Sequence, residues 1–263
     1  MTAVTWDFSA LTYNVLAQAY VRPSRYRGCE PAALAAGPRY TRLLAKIAEF
    51  DADLLCLQEV EAELFEALAT VMPTHEAVFE QKRGRPDGCA TFVRREHFEL
   101  VTTHRLHYRA CEPGYDHLAL VTRLRHGQGE LVVANTHLRW QPENTAPGDH
   151  LGVLQLDELL ALLGENEEPG AAIVIAGDLN ALSRSPVIDR AARAGLELAA
   201  RSLRPWDTAL INGRRRKLDY LLHDPRRLQP SPRPLPSLSA ARPIPSLAEP
   251  SDHLPLLVDF SWC

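Results

Sequence analysis

Several short apolar segments of the sequence end in small groups of polar residues. These groups are Tyr13-Asn14, Gln58-Glu59, Asn135-Thr136-His137, Gly177-Asp178-Leu179-Asn180 and Leu218-Asp219-Tyr220. One further group, Ser251-Asp252-His253, stands before the last apolar segment instead. Apolar runs of roughly four to eight residues between turn residues are typical of buried strands. The pattern therefore predicts buried strands that carry polar side chains at their ends.

Helices are predicted between these segments from the helical spacing of apolar side chains. The predicted helices cover residues 32–50, 61–71 and 150–163, and one more begins at Ser185-Pro186 and runs to Gly195. Strands are predicted at residues 8–13, 53–60, 77–79, 89–93, 98–106, 118–124, 131–136, 171–176, 218–222 and 256–260. The five strands between residues 77 and 136 indicate a meander. Strands and helices mixed in this order favour an α/β sandwich.

The proline-rich residues 225–250 have two interpretations. Such a segment can be a disordered linker to a second domain. Too little sequence follows it to form another domain, so we favour a long loop with one edge strand. We therefore predict one domain over residues 1–263.

The composition sets limits on partners and location. The net charge of −4 excludes a strongly basic surface overall, although a local patch with a bound metal ion can hold a phosphate. The five cysteines lack zinc spacing, so we expect free thiols in a reducing compartment and a cytoplasmic location. We expect no signal peptide and no membrane span, because no basic segment precedes an apolar run at the N-terminus and no apolar stretch reaches about 18 residues.

Each polar group taken alone also has a structural interpretation. Glu59 could start a helix, Asp178 could cap a turn, and His137 could be an ordinary buried histidine. The whole set, however, contains carboxylates, amides and histidines with almost no lysine, which suits hydrolysis of a phosphate ester. Carboxylates hold magnesium, the metal polarises the phosphoryl oxygen, amides bind the other oxygens, and a histidine moves protons.

These groups, in this order, resemble the endonuclease/exonuclease/phosphatase superfamily. The resemblance extends over nearly the whole chain, from residues 12–16 (TYNVL) to residues 251–253 (SDH). It implies a DNase-like α/β fold: a four-layer sandwich of two mixed, mainly antiparallel β-sheets flanked by helices. The site would lie where the strand ends meet.

A narrower resemblance is to the deadenylase-like branch of this superfamily. The branch contains the carbon-catabolite-repression deadenylases, nocturnin, the Angel proteins and the mitochondrial 2′-phosphodiesterase. The segments that carry the resemblance are residues 12–18 (TYNVLAQ), 57–60 (LQEV), 87–92 (DGCATF) and 135–142 (NTHLRWQP). The DGCATF segment discriminates best, because other superfamily members lack it.

The resemblance implies a metal site. Glu59 would be the principal ligand of Mg²⁺, or of Mn²⁺ as a substitute. Asn14 would lie beside Glu59, and Asp252 would lie near the metal.

The resemblance also implies catalytic roles. Asp178 would orient or deprotonate the attacking water, and Asn180 would hold the phosphate. His253, oriented by Asp219, would be the active-site histidine, and His137 would bind or protonate around the scissile phosphate. Whether His253 or Asp178 is the general base stays open.

Three further residues are predicted to bind substrate. Asn135 would support His137, and Pro142 matches the proline that stacks on adenine in the poly(A)-specific deadenylases. The aromatic residue that completes this stack in those enzymes has no match in residues 211–217 (INGRRRK), where Arg214 is the candidate instead. An arginine can stack on a base or bind an extra phosphate, and a solvated turn is equally consistent with this cluster.

Three functions remain open on these grounds. The leading interpretation is a 3′→5′ exoribonuclease, and the alternative is a phosphatase or cyclic phosphodiesterase that acts on RNA 2′,3′-cyclic phosphate ends or nucleotide 2′-phosphates. A non-catalytic nucleotide-binding module is a remote third, since every expected ligand position is filled. We expect an RNA or nucleotide phosphoester as substrate, no membrane partner, and a monomer.

Overall fold

The computed structural model describes residues 6–142, 144–146, 148–165 and 170–263. Its helices are α1 (Pro31–Leu34), α2 (Ala36–Glu49), α3 (Ala62–Val71), α4 (Leu151–Glu165) and α5 (Pro186–Arg193). Its strands are β1 (Phe8–Asn14), β2 (Leu54–Glu61), β3 (His75–Gln81), β4 (Asp87–Arg94), β5 (Glu99–His107), β6 (Leu118–His126), β7 (Gly129–His137), β8 (Ala172–Asp178), β9 (Glu197–Leu198), β10 (Ala209–Ile211), β11 (Arg214–Arg216), β12 (Asp219–His223), β13 (Leu228–Pro232) and β14 (Leu256–Trp262).

Two six-stranded sheets form the centre of the fold. The first has the order β13-β14-β1-β2-β4-β3, and the second has the order β5-β6-β7-β8-β12-β9. Within each sheet one central pair is parallel, β1 with β2 and β7 with β8, whereas the other pairs are antiparallel. Both sheets are therefore mixed and mainly antiparallel, as predicted.

The two sheets pack face to face and each is covered by helices. The largest apolar cluster joins inner residues of β1 and β2, such as Ala10 and Leu54, to residues of the second sheet such as Val133. The same cluster includes side chains of α4 and α5. A second cluster packs the other face of β1 and β2 against α2 and α3. The predicted four-layer sandwich is thus confirmed.

The helix predicted at residues 32–50 is broken into α1 and α2 at Ala35, which has an extended backbone. Pro38 explains the break, because it has no N–H to donate to the Leu34 carbonyl and its ring would crowd that oxygen. The Leu34 carbonyl instead accepts a hydrogen bond from Gln18 Nε2 at 3.1 Å. By contrast, α5 begins as predicted, with Pro186 in its first turn and the Ser185 hydroxyl accepting from Ile188 N.

The strands between residues 77 and 136 do not form one meander, so that prediction is wrong. Strands β3 and β4 belong to the first sheet, whereas β5, β6 and β7 belong to the second. Local sequence shows where strands begin and end but not which sheet they join. The proline-rich segment does contain one edge strand, β13, which pairs with β14. The structure adds a small hairpin, β10–β11, which the sequence did not predict.

Strand alternation and register place the polar residues on one edge between the sheets. On β1, Asn14 shares the inward face with Ala10, because successive side chains point to opposite faces. On β7, His137 shares the inward face with Asn135 and lies beside Asp178 of β8 in the parallel register. Asp219, the first residue of β12, pairs across from Asp178. The ends of β1, β7, β8 and β12 therefore meet.

In the part of the chain that the structure describes, no helix is long and apolar enough to cross a bilayer. A single domain over residues 1–263 stays a prediction.

Candidate active site

The carboxylate of Asp178 lies at the centre of the polar residues. Its Oδ2 accepts a hydrogen bond from Asn14 Nδ2 at 3.0 Å, and it lies 3.7 Å from His137 Nε2 and 3.8 Å from His253 Nε2. Its Oδ1 accepts from the backbone N–H of Asn180 at 2.9 Å. The side chain is almost fully buried. Four of the predicted site residues therefore converge on one buried carboxylate.

Glu59 reaches this centre because β2 contains a bulge. Strict alternation after Leu55 and Leu57 would point Glu59 at the outer helix layer, where those two leucines pack. The register shifts between Gln58 and Val60, and Glu59 has φ of +57°. The extra residue turns the carboxylate inward, as bulges next to active sites commonly do. Glu59 Oε1 thereby accepts from Asn14 Nδ2 at 3.0 Å.

Asn14 joins the carboxylates of Glu59 and Asp178 with its amide nitrogen. Its Oδ1 accepts from the backbone N–H of Leu16 at 3.0 Å, which fixes the orientation of the amide. In this arrangement Asn14 offers a donor to the two carboxylates rather than an oxygen to a metal ion. Direct ligation by Asn14 would require the amide to turn, so its role as a ligand stays a prediction.

The acidic residues around Glu59 fit a divalent cation. Burial raises the pKa of the Glu59 carboxyl, and the negative charges of Asp87 and Asp252 raise it further. Such a carboxylate is costly to keep charged unless a positive charge neutralises it. Oxygen ligands of this kind suit a hard divalent metal ion. The fold thus brings Glu59 and Asp252 close enough for their charges to interact, although the two come from opposite ends of the chain.

His253 is held by Asp219 through a short hydrogen bond between Nδ1 and Oδ2, 2.8 Å long. Burial alone would lower the pKa of His253, but Asp219, Asp178 and Asp252 more than offset this and hold the pKa well above its usual value. These carboxylates favour the protonated form of His253, whose Nε2 lies 3.8 Å from Asp178 Oδ2. Burial has the opposite effect on Asp178: it raises the pKa of this carboxyl, while the charge of His253 opposes that rise.

A ligand atom from each of Asp178, Asp219 and His253 lies within 4.8 Å of the others, so these residues could also hold a cation. Their contacts argue for another use. Asp219 Oδ2 is already bonded to His253 Nδ1, which is the arrangement that orients a catalytic histidine. We therefore regard Glu59 and Asp252 as the better metal candidates among the described residues.

The β10–β11 hairpin positions His253 and its hydrogen-bond partner Asp219. The backbone N–H of Leu210 donates to Asp252 O at 3.0 Å, and Ala209 forms an isolated bridge with His253. Thr208, just before β10, accepts the backbone N–H groups of Leu218 and Asp219 on its hydroxyl, both at 3.1 Å. The hairpin thus sets the distance between the segment that carries Asp219 and the segment that carries His253.

His137 is surrounded by hydrogen-bond donors. Asn180 Nδ2 lies 3.0 Å from its Nε2, and Lys82 Nζ lies 3.3 Å from its Nδ1. Burial, together with the charge of Lys82, lowers the pKa of His137 well below its usual value. A neutral imidazole has only one acceptor nitrogen, so it cannot accept from both donors at once. An acceptor from outside, such as a phosphoryl oxygen, would relieve this shortage.

Lys82, Asp87 and Tyr20 are site residues that the sequence did not reveal. Lys82 Nζ is buried and bonded to Asp87 Oδ2 at 2.6 Å, and Asp87 Oδ1 accepts from the Tyr20 hydroxyl at 2.6 Å. One signal was available: lysine occurs only three times among 29 basic residues, and Lys82 stands five positions before the aspartate of DGCATF. The scarcity of lysine, together with the position of Lys82 beside DGCATF, is the signal that could have singled it out.

Two of the three predicted substrate residues lie elsewhere than expected. Asn135 is fully buried, with its Oδ1 accepting from Gln58 Nε2 at 2.8 Å and its Nδ2 donating to Leu57 O and Ala90 O. Its amide therefore ties the two sheets together and has no group left for substrate. Arg214 lies at the turn end of the β10–β11 hairpin, where it pairs with Ile211, and it is exposed.

Pro142 lies beside Asn180, and its role in substrate binding stays a prediction. It lines a groove of about 280 Å³ together with Asn180, the exposed Trp140 and Arg216. Arg216 stands at the base of the hairpin, two residues after Arg214, and so replaces it as the basic residue of this groove. The groove continues directly from the catalytic centre, because Asn180 belongs to both.

His117 gives the site a specific sensitivity to acid. Burial, together with the charge of Lys82, lowers the pKa of His117 to about 4, although its Nδ1 lies 3.1 Å from His137 O. In the unfolded chain this histidine binds its proton near pH 6.5, so its contribution to the free energy of unfolding is complete above that pH and falls as the pH drops towards 4. When the pH is lowered from 7 to 5, the free energy of unfolding measured in urea should fall for both proteins. The fall should be smaller by about 1–2 kcal/mol in His117→Asn than in the wild type. The exposed His104, changed to asparagine, should follow the wild type; equal losses in both variants would contradict the assignment.

The chain is similar to known proteins along most of its length. Residues 11–253 match the Endonuclease/Exonuclease/phosphatase family. The chain is 30% identical over 205 residues to protein angel homolog 2 of Danio rerio, a match that covers 69% of this chain and 34% of that protein. It is 30% identical over 221 residues to the CCR4-Not complex 3′-5′-exoribonuclease subunit Ccr4 of Saccharomyces cerevisiae, which covers 69% of this chain and 26% of that protein.

A solved structure shows the same fold. It is the crystal structure of ANGEL2, a 2′,3′-cyclic phosphatase, in complex with adenosine-2′,3′-vanadate, with a TM-score of 0.83 and 23% identity over 96% of this chain and 95% of that chain. The chain spans about a third or less of the two curated relatives it matches. The family match, however, runs from β1 to His253 and contains the whole Asp178-centred arrangement. The resemblance predicted from sequence is therefore confirmed: the chain belongs to the endonuclease/exonuclease/phosphatase family.

Proposed function

We propose that the chain is a magnesium-dependent phosphoesterase that removes nucleotides from the 3′ end of RNA. The observation that carries the proposal is the convergence of Asn14, His137, Asn180 and His253 on the buried Asp178 carboxylate. Hydrolysis of a phosphodiester needs a base for water, donors for the phosphoryl oxygens and a proton for the leaving group. These residues supply each of them within one small volume.

Glu59 and Asp252 would hold the metal ion, which when bound polarises the phosphoryl oxygen and neutralises developing charge. Asp178, with its raised pKa, is placed to take a proton from the attacking water. Asn180 Nδ2 and His137 would bind the non-bridging oxygens, since the donors around His137 outnumber its one acceptor nitrogen. The His253 imidazolium, fixed by Asp219, would donate to an oxygen at the reacting phosphorus through Nε2.

The groove beside Asn180 would hold the 3′-terminal base. Pro142 offers an apolar face, and the guanidinium of Arg216 can lie over the base where related deadenylases use an aromatic ring. Arginine stacks on any base, so we expect only weak base preference. This expectation follows from the lining residues themselves and does not require the chain to act on poly(A).

A second candidate function is hydrolysis of a 2′,3′-cyclic phosphate at an RNA end. Two observations favour it: the match to protein angel homolog 2, and the fold shared with a structure described as a 2′,3′-cyclic phosphatase. The same donors and base serve both reactions, because each begins with water attacking a phosphodiester. Only the position of the scissile bond along the groove differs.

One substrate panel separates the two candidates. The protein with Mg²⁺ is incubated with 5′-labelled poly(A), a mixed-sequence RNA, an RNA ending in 2′,3′-cyclic phosphate, and NADPH. Progressive shortening of the RNAs from the 3′ end supports the exoribonuclease. Conversion of the cyclic end without shortening supports the second function, and phosphate release from NADPH alone contradicts both. No reaction with any of the four would contradict the proposed phosphoesterase.

A further inference from the structure

Two arginines lie against one exposed aromatic ring next to the catalytic centre. The guanidinium carbon of Arg85 is 4.2 Å from the centroid of the Tyr115 ring, and that of Arg139 is 5.2 Å away. The Tyr115 ring is 45% exposed. Its hydroxyl makes no hydrogen bond with the residues that the structure describes. The ring thus contacts the guanidinium groups through its face, and we name Arg85, Tyr115 and Arg139 the Tyr115 cluster.

Each member of the Tyr115 cluster lies on a segment that also carries a residue of the site. Arg85 stands between Lys82 and Asp87, and Arg139 stands two residues after His137. Tyr115 stands two residues before His117, whose Nδ1 lies 3.1 Å from His137 O. The charges of Lys82 and Arg139 both act on His117, so the cluster lies near the His117 side of His137.

The charge of the cluster is only partly compensated by the protein. Arg85 makes no ion pair with any described residue, and its positive charge lowers the pKa of the Tyr20 hydroxyl against stronger opposing effects. Arg139 Nη2 bonds to Glu112 Oε2 at 2.9 Å, and its Nε has no hydrogen-bond partner among the described groups. Asp116 Oδ2 accepts from Arg83 N and contacts His107 Nδ1, and Asp116 forms no ion pair with Arg85 among the described residues. Arg85 is therefore the member of the cluster whose charge has no direct carboxylate partner.

We propose that the Tyr115 cluster is a second phosphate-binding subsite, which holds the phosphodiester next to the scissile one in an RNA substrate. This inference rests on the proposed function. Guanidinium groups bind phosphate oxygens with paired N–H donors, and a stacked aromatic ring fixes their planes before the ligand arrives. Partly exposed arginines of this kind, beside His137 with its surplus of hydrogen-bond donors, suit a substrate with more than one phosphate. The cluster thus favours a nucleotide chain over a small monophosphate ester.

The test compares two substrates that differ by one phosphate: the dinucleotide ApA, and the same dinucleotide with a 5′-phosphate. For Arg85→Gln and Arg139→Gln, the ratio of kcat/KM between the phosphorylated and the plain dinucleotide should fall at least about 5-fold, mainly through KM. With longer RNA, the slope of log binding constant against log salt should decrease by about 0.7 for each lost contact. Arg125→Gln, at the far end of β6, should leave the ratio at the wild-type value.

Substitutions of the ring separate a subsite from a merely stabilising surface cluster. Tyr115→Phe keeps the ring and should keep the wild-type ratio, whereas Tyr115→Ala should lower it like the arginine variants. An unchanged ratio in all arginine variants whose melting temperature is normal would overturn the subsite. Equal losses on both dinucleotides would also overturn it, since they would mean that the cluster only supports His137. Failure of the wild-type protein to hydrolyse either dinucleotide or RNA would instead contradict the proposed function.

Discussion

Glu59→Gln should lower kcat/KM for every hydrolysed phosphoester by a factor on the order of 10² or more. The substitution keeps the size of the side chain. It also keeps an oxygen to accept the Ala17 N–H, which in the wild type donates to Glu59 Oε2 at 3.0 Å. It removes the charge that a divalent cation needs, and the new amide nitrogen would face Asn14 Nδ2. Mg²⁺ titrations of activity, and melting curves with and without Mg²⁺, are the measurements.

Two controls make this prediction specific to the metal ion. The exposed Glu63→Gln on α3 should retain both the rate and the rise in melting temperature with Mg²⁺. His253→Ala should lose rate by a similar factor but retain the rise in melting temperature, because it acts on the phosphate rather than on the metal. A Glu59→Gln protein with a near-normal rate, or with an undiminished response to Mg²⁺, would refute the assigned ligand.

Gly177→Ala should lower the free energy of unfolding by about 3 kcal/mol or more. A Cβ at this position would lie 1.8 Å from the carbonyl oxygen of Thr136, which belongs to the neighbouring strand β7. The strands must separate to admit it, and Asp178 is the next residue. For a chain of this size the melting temperature should fall by about 6 °C or more, with activity lost as well.

Gly164 on α4 provides the matched control. Among the described residues, and apart from the neighbouring backbone of the helix itself, no heavy atom lies within 4 Å of a Cβ built at Gly164, and the position is exposed on a helix. Gly164→Ala should therefore stabilise the protein by about 0.5–1 kcal/mol, because glycine costs that much in a helix. Similar melting temperatures for the two variants would contradict the close approach of the Thr136 carbonyl oxygen to Gly177.

The strand ends were predictable because alternation and register are local properties. Asn14, Asp178 and Asp219 occupy strand positions whose facing follows from a period of two, so a list of polar residues after apolar runs was enough to find them. Glu59 was also found as a polar residue after an apolar run, although it does not follow the alternation of strand side chains. The bulge at Glu59 turns its side chain to the opposite face, and nothing in LQEV predicts a left-handed backbone there. The motif resemblance rather than the pattern gave its role.

Two of the parts that the sequence did not predict depend on contacts between distant segments, and a third depends on a local turn. Lys82 can be recognised as a site residue only once the fold places it, directly after β3, against His137, which lies 55 residues further along the chain. Asn135 sits within a motif but is turned towards the other sheet, because β7 packs over Gln58. Arg216 replaces Arg214 in the groove because the hairpin closes at Asn212-Gly213, which a run of basic residues does not reveal.

The hydrogen bonds of Asn14 to Glu59 and Asp178 have a consequence for how the protein responds to its ligands. Glu59 belongs to the first sheet and Asp178 to the second, so one amide spans the interface that the apolar core forms. A cation or substrate that draws these two carboxylates together also resists separation of the sheets. Ligand affinity and sheet packing are therefore linked quantities: a ligand at a hundred times its dissociation constant adds about 2.7 kcal/mol to the free energy of unfolding. A destabilised core variant should in turn regain about this much free energy of unfolding when the ligand is present.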